Sequence, residues 1–122
     1  MKRTVRQSLE DLNEYVERVL ELVSQTDESI FSQDELLQDA MLRRIEVVGE
    51  IVKQIPLEYR EKYPEVPWKD IAGTRDIISH HYDGVNMHRV WLIATQDIPV
   101  LKPLITKLLA EEVNHLVSTK AA

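Results

Sequence analysis

Five polar side chains that could take part in one chemical step lie within a single short stretch of the chain: Arg75, Asp76, Ser79, His80 and Tyr82. At about 100° per residue, an α-helix would gather all five on an arc of about 160°. The two isoleucines of the same stretch would lie outside that arc. Such an arc is either the solvated side of an amphipathic helix or a functional site, because clustered titratable groups mark a site in only some cases.

The residue types suit the cleavage of RNA without a metal ion. In that reaction the 2′-hydroxyl of the substrate is the nucleophile, so a base must remove its proton and an acid must protonate the leaving oxygen. Histidine titrates in the range that both proton transfers need, which makes His80 the candidate acid–base group. Arg75 could hold the crowded phosphate through two donors.

One helix of this kind supplies a single histidine to the arc, whereas the reaction uses both a base and an acid. With Arg75 at 0° on the same projection, the arc runs from about −20° to 140°. His81 would lie at about 240°, outside the arc, which suits a packing or surface residue. Two copies of the helix that face each other across a two-fold axis would supply two histidines and two arginines. The chemistry therefore predicts a homodimer with one shared site.

Apolar side chains that recur at three- and four-residue spacing predict the helices that position these residues. The predicted helices span about 5–24, 34–55, 68–82 and 86–96, and a last one begins near Pro99. Pro56 ends the second helix, since proline cannot continue the backbone ladder. Residues 24–33 are rich in capping and turn types and predict a connection.

The sum of these segments is an all-α fold. No segment alternates with the period of a β-strand, and no change of composition indicates a domain boundary. We therefore expect one domain over 1–122, an antiparallel bundle of four or five helices. Its site would lie on the motif helix at about 68–82.

The composition indicates a globular protein of a reducing compartment. The chain has 122 residues, 43% of them hydrophobic and 30% charged, and it contains no cysteine. Disulfides and thiolate metal sites are therefore excluded, and no apolar run reaches the length of a signal peptide or a membrane span. We expect a cytoplasmic protein without membrane association. The net charge of −6 argues against tight, non-specific RNA binding, since phosphate contacts depend on lysine and arginine.

Several residues outside the arc allow both a functional and a structural interpretation. Cations that could attract RNA, or belong to a solvated face, are Arg43, Arg44, Lys69 and Arg89. Trp68 and Trp91 could stack on bases, although core packing is the more common role of tryptophan. The spacing Glu112-x-x-His115 occurs in helical di-metal sites, but those need a second copy and two further glutamates. We expect no metal and no other cofactor.

The pattern Arg75-x4-His80-x-Tyr82 resembles the motif of the HepT toxins, a group within the HEPN superfamily. The flanking sequence is similar to that family along nearly the whole chain. The similar segments are Met1-Lys2-Arg3, Leu9-Glu10-Asp11, Val48-Gly49-Glu50, Tyr63-Pro64-x-x-Pro67-Trp68, Val85-Asn86 and Val90-Trp91.

The resemblance implies the toxin of a type VII-like toxin–antitoxin pair, a metal-independent endoribonuclease. Arg75 and His80 would be its catalytic residues at the dimer interface, with Asp76 and Ser79 in support. Tyr82 would receive AMP from a cognate minimal nucleotidyltransferase that acts as the antitoxin. An added nucleotide brings negative charge and bulk to the arc and would block the phosphate site.

A second interpretation is a non-catalytic HEPN domain that serves as the binding partner of a nucleotidyltransferase. The negative net charge favours it, because RNA binding rests on cations. The intact set of Arg75, His80 and Tyr82 favours the enzyme.

Overall fold

Helices account for almost all of the chain. The computed structural model describes residues 3–80 and 86–121, with the backbone alone at 75–80 and 113–121. No strand occurs within these ranges, which confirms the predicted all-α fold. The elements are, in order, α1 (Val5–Ser24), α2 (Glu28–Phe31), α3 (Glu35–Gln54), α4 (Leu57–Lys62), α5 (Trp68–His80), α6 (Met87–Leu92), a π-helical turn (Ile93–Asp97) and α7 (Ile98–Ala121).

Short polar side chains begin the two long helices at the start of the chain. Thr4 and Gln7 form a capping box: Thr4 Oγ1 accepts the amide hydrogen of Gln7 at 3.1 Å, and Gln7 Oε1 accepts that of Thr4 at 2.9 Å. The Asp34 carboxylate accepts from the amides of Leu36 and Leu37 at 3.0 and 3.2 Å. These bonds satisfy amides that a helix N-terminus otherwise leaves without a partner. Both helices therefore begin within one residue of the predicted positions.

The segment between α1 and α3 is more regular than its sequence indicates. A connection is expected over 24–33, whereas the structure has the short helix α2 there. The Asp27 carboxylate caps it by accepting the amide hydrogen of Ile30 at 2.9 Å. Phe31 is 1% exposed, and its ring lies 5.3 Å from that of Trp91. The burial of one aromatic ring thus fixes a turn that a polar sequence alone leaves open.

The core lies between the four longer helices. The most extensive contacts join α3 to α5, α1 to α7 and α1 to α3, so α5 and α7 flank a central pair of α1 and α3. The predicted apolar stripes face this core. Completely buried members are Leu9, Leu12, Val16 and Val19 of α1, Met41, Ile45 and Val48 of α3, and Ile98 and Ile105 of α7. Each such aliphatic side chain stabilises the fold by about 1.5–3 kcal/mol relative to exposure.

The last helices join into one rod. Asn86 caps α6, since its Oδ1 accepts the amide hydrogen of Arg89 at 3.2 Å. The sequence predicts two separate helices, whereas α6 continues through the π-helical turn directly into α7. Pro99 has no amide hydrogen and clashes with the carbonyl four residues earlier. A π-helical turn just before this proline accommodates the break in the hydrogen-bond ladder without ending the helix.

α7 is the longest helix, with 24 residues, and its apolar side chains serve the core. Leu101, Ile105 and Leu108 are at most 1% exposed. Neither α7 nor another helix in the described part of the chain has the length and apolar composition that crossing a bilayer requires.

Candidate active site

Helix α5 carries four of the five residues that the sequence analysis places on the arc. Helical backbone runs along the whole of α5, which includes Arg75, Asp76, Ser79 and His80. Their side chains, and all of Tyr82, lie outside the described residues. The helical spacing on which the arc depends is therefore present through His80, while the contacts among the arc's side chains stay a prediction.

Buried side chains anchor the first half of α5. Trp68 is 6% exposed, and its Nε1 donates to the carbonyl oxygen of Tyr63 at 3.0 Å. Ile71 is 2% exposed, and the buried Thr74 hydroxyl donates to the Ile71 carbonyl oxygen at 2.7 Å. Trp68 thus belongs to the core and is not placed to stack on a base. These contacts fix the orientation of the part of α5 that directly precedes Arg75.

Two tyrosines support the loop that leads into α5. The rings of Tyr59 and Tyr63 lie 5.0 Å apart, and Tyr59 is 8% exposed. Burial, together with the negative charge of Glu112, raises the pKa of Tyr59 well above its usual value. A hydrogen bond to Glu111, followed by partial burial, raises the pKa of Tyr63. Both hydroxyls therefore stay protonated at neutral pH.

The acidic residues of α7 do not form a metal site in the described part of the chain. Within those residues no group of three His, Asp or Glu side chains is arranged to hold a metal ion. Glu112 lies beside Tyr59, close enough to affect its pKa. The side chain of His115, the other half of the Glu112-x-x-His115 spacing, lies outside the described residues.

The aromatic and imidazole groups of α6 tie this helix to α2. The Trp91 ring packs against the buried ring of Phe31, so its contact is structural. The Nδ1 atom of His88 contacts the carboxylate of Glu28. Neither Trp91 nor His88 lines the cleft between α5 and the α6–α7 region that is described below.

The two arginines on α3 have partners on the bundle surface. Arg44 Nη1 donates to the carbonyl oxygen of Arg18 at 2.7 Å, and Arg43 Nη1 lies 3.9 Å from Glu46 Oε1. The first bond joins α3 to α1, and the second is an exposed pair within α3. These positions agree with a solvated charged face.

The other two cations, Lys69 and Arg89, lie on a cleft of about 490 Å³ between α5 and the rod of α6, the π-helical turn and α7. Its polar wall consists of Lys69, Asp70, Gly73, Arg89, Gln96 and Asp97. Buried Ile71 and Ile93 form part of its apolar wall. Within the part of the chain that is described, the side chains of Lys69 and Arg89 form no ion pair and no hydrogen bond.

Sequence reasoning singles out the two cations of this cleft but not the residues opposite them. Gln96 and Asp97 belong to the π-helical turn, which adds a residue to the helical repeat and changes the direction of the side chains that follow. No apolar periodicity reveals such a turn. The one signal in the sequence is Pro99, which marks the position where the regular ladder must fail.

The chain is similar in sequence to a known protein family and to several of its members. The family described as ribonuclease HepT-like matches residues 12–108. A Caldanaerobacter subterraneus protein named as a candidate RNase is 38% identical over 110 residues, which cover 90% of this chain and 98% of that protein. A Thermococcus cleftensis protein named probable ribonuclease HepT is 36% identical over 108 residues, covering 88% of this chain and 98% of that protein.

A further relative is a longer protein. A Methanocaldococcus jannaschii protein, named for a gamma-glutamylcyclotransferase and a candidate RNase, is 40% identical over 111 residues. The aligned region covers 91% of this chain and 50% of that protein. This chain therefore spans about half the length of that relative. No solved structure matches the chain significantly.

Proposed function

This protein belongs to the HepT-like ribonuclease family, and from that membership we propose that it is the ribonuclease toxin of a toxin–antitoxin pair. In this proposal a homodimer cleaves RNA without a metal ion, through a site to which both copies contribute Arg75 and His80. A cognate nucleotidyltransferase antitoxin silences the dimer by transferring AMP to Tyr82.

The observation that carries the proposal is the complete Arg75-x4-His80-x-Tyr82 pattern in a chain whose residues 12–108 match the family. Two relatives that are similar over nearly their full length carry ribonuclease names. The helical backbone of α5 agrees with the spacing that the pattern requires from Arg75 to His80.

The proposed reaction needs two proton transfers and one anchored phosphate. One His80 takes the proton of the 2′-hydroxyl, whose oxygen attacks the adjacent phosphorus. The second His80 donates a proton to the 5′-oxygen as its bond to phosphorus breaks. The products are a 2′,3′-cyclic phosphate and a 5′-hydroxyl, and the two histidines have exchanged protonation states. Each positioned proton transfer contributes about 10²–10⁴ in rate.

Arg75 has the electrostatic role in this proposal. The pentavalent transition state carries more negative charge on its equatorial oxygens than the ground state, and a guanidinium from each copy stabilises that charge. Asp76 and Ser79 support the two groups on the same helix. Because one helix offers one histidine to the arc, the dimer completes the acid–base pair.

The switch at Tyr82 acts through charge and volume. Tyr82 is two residues after His80, so an attached AMP would bring a phosphodiester and a base next to the site. The added negative charge repels the RNA phosphate, and the base occupies space that RNA needs.

The test of the shared site uses Arg75→Ala and His80→Ala, each purified free of AMP and assayed on RNA in EDTA. Each homodimer should lose cleavage by about 10²-fold or more while its circular dichroism stays unchanged. Co-expression of wild-type and His80→Ala chains with different affinity tags yields a heterodimer that holds two Arg75 and one His80. If both histidines act in one shared site, this heterodimer should cleave RNA about 10²-fold or more slowly than the wild type, whereas two independent sites would keep about half of the rate.

The test of the switch is the intact mass of the protein after incubation with ATP and the proposed cognate nucleotidyltransferase, with Tyr82→Phe as the control. Mass should rise in AMP-sized steps in the wild type alone, and RNA cleavage should fall in parallel. Unmodified wild-type protein that binds the transferase but cleaves no RNA would support the non-catalytic partner instead, the interpretation that the net charge of −6 favours.

A further inference from the structure

The cleft beside α5 continues the side of the helix on which positions 76 and 80 of the predicted site lie. Lys69 and Gly73 line it, and they precede residue 80 by eleven and seven positions on the same helix. Positions 69, 73, 76 and 80 follow one another at spacings of three and four, which places them along one side of a helix. A ligand in the cleft would therefore lie along the helix side that leads to His80.

The cations of the cleft are available to a ligand. Lys69 and Arg89 are exposed, and their side chains have no ion-pair or hydrogen-bond partner among the described residues. In contrast, Arg6, Arg18 and Lys102 each hold a carboxylate on the surface. Arg89 is fixed at its backbone, where its amide donates to Asn86 Oδ1 at 3.2 Å. Two cations on opposite walls of one cleft suit a phosphate group, which takes several charged donors.

The shape of the cleft suits one nucleotide. Its volume of about 490 Å³ lies in the range of small-ligand sites, about 300–1,000 Å³. A Cβ built on Gly73 would meet no atom within 4 Å, so the helix presents bare backbone to open space. Pro67 and Val100, the latter 52% exposed, add an apolar wall against which a base or a sugar can pack.

The carboxylates of the cleft disfavour a bare phosphate ion and favour a ribose. Asp70 and Asp97 lie on the same walls as the cations and would repel inorganic phosphate. A carboxylate is also a good acceptor for ribose hydroxyls, as in dinucleotide-binding proteins. Gln96, with both a donor and an acceptor, can pair with a base edge. Three of the lining residues, Ile93, Gln96 and Asp97, come from the π-helical turn, an irregularity that is frequent at functional sites.

We propose that this cleft is a ribonucleotide subsite that holds the RNA strand next to the cleavage site. Lys69 and Arg89 bind a phosphate, Asp70 and Asp97 accept ribose hydroxyls, and Gly73 leaves room for the strand. This inference rests on the proposed ribonuclease function for its substrate and adds to it the direction in which RNA leaves the Arg75–His80 site.

The first experiment measures binding apart from cleavage. All variants carry His80→Ala, gels confirm that the RNA stays intact, and anisotropy follows a fluorescein-labelled single-stranded RNA of mixed sequence over a range of salt. Lys69→Ala and Arg89→Ala should each weaken binding by about tenfold. Each should also reduce the slope of log affinity against log salt by about 0.7, the value for one lost phosphate contact on a single strand. DNA of the same sequence should bind less tightly than the RNA.

Matched controls remove the same charge elsewhere. Lys62 and Arg6 are exposed and do not line the cleft, so Lys62→Ala and Arg6→Ala should leave the affinity and the salt slope almost unchanged. If the controls weaken RNA binding as much as Lys69→Ala and Arg89→Ala do, net charge alone governs binding and the subsite is overturned. DNA that binds as tightly as RNA overturns the role of the carboxylates.

A bulky side chain at Gly73 tests the space instead of the charge. Gly73→Leu fills the cleft and should weaken RNA binding without lowering the thermal stability. Size-exclusion chromatography accompanies this variant. A change of oligomeric state in Gly73→Leu would show that a second copy covers this face, which overturns the subsite.

The outcomes separate this inference from the ribonuclease proposal. Wild-type protein that cleaves RNA, with a KM that Lys69→Ala and Arg89→Ala leave unchanged, overturns the subsite and keeps the enzyme. Protein that does not cleave RNA, but whose RNA binding depends on Lys69 and Arg89, overturns the enzyme and keeps the cleft as an RNA site.

Discussion

The two faces of α5 meet opposite surroundings. On the inner face, Trp68 and Ile71 are 6% and 2% exposed, and the Trp68 indole is bonded to the loop before the helix. On the outer face, Lys69 and Gly73 line an open cleft, and a methyl group added at Gly73 would have no neighbour within 4 Å. In our proposal the outer face contacts a ligand, whereas the inner face stabilises the core, so substitutions on the two faces should change different measurements.

The largest expected effect on stability comes from the inner face at Trp68. Trp68→Ala should lower the free energy of unfolding by about 3–5 kcal/mol, because it empties a buried aromatic site. Trp68→Phe keeps most of the volume but leaves the Tyr63 carbonyl without its donor, a loss of about 1–3 kcal/mol. Urea unfolding followed by circular dichroism measures both, and an unchanged midpoint in Trp68→Ala would contradict the assignment of this side chain to the core.

Alkaline pH should lower the free energy of unfolding through Tyr59, which supports the loop that leads into α5. The folded-state pKa of Tyr59 is raised, so its contribution to stability is complete below the unfolded value, about 10, and is lost as the pH rises beyond it. The urea concentration at the unfolding midpoint should be measured from about pH 8 to about pH 11, a range that brackets the usual tyrosine pKa of about 10. With rising pH it should fall more steeply in the wild type than in Tyr59→Phe, which cannot ionise at this position. Equal slopes would show that this tyrosine ionises freely in the folded protein.

A smaller contrast compares neighbours on the two faces. Ile71→Val removes one buried methyl group and should cost about 0.5–1.5 kcal/mol. Lys69→Ala, two residues earlier on the outer face, should stay within about 0.5 kcal/mol of the wild type. Thermal unfolding of the two variants side by side checks the contrast, and a larger loss in Lys69→Ala would reverse the assignment of the faces.

The smallest expected change is a gain. Gly73→Ala should stabilise the protein by about 0.5–1 kcal/mol, since glycine within a helix is less favourable than alanine by that amount and the added methyl meets open space. Differential scanning calorimetry checks the sign. A lower melting temperature would mean that another surface packs on Gly73.

The sequence predicts the bundle well because its helices have strong signals. The apolar stripes of α1 and α3 and the stop at Pro56 correspond to helices whose bounds lie within a residue or two of the predictions. The exceptions depend on tertiary contacts. α2 forms because Phe31 is buried against Trp91, and no local pattern specifies that contact.

The sequence predicts the residue types of the candidate site but not the shape of the cleft beside it. Arg75 and His80 are selected because their types suit RNA cleavage, and their roles stay predictions, whereas the family match bears on the ribonuclease activity as a whole. The cleft could not be predicted, because Gln96 and Asp97 reach it through a π-helical turn that departs from the regular period. Arg43 and Lys69 are both cations on helices, but the i,i+3 spacing within α3 already places Arg43 beside Glu46, whereas only packing places Lys69 on the cleft.

The central claim is that α5 carries a metal-independent ribonuclease site, and the most direct measurement is the rate of RNA cleavage in EDTA by unmodified wild-type protein beside His80→Ala. The wild type should cleave RNA, and the variant should be slower by about 10²-fold or more with the same unfolding midpoint. Cleavage by a folded His80→Ala protein at the wild-type rate would contradict the account, as would a wild type that becomes inactive when metal is removed.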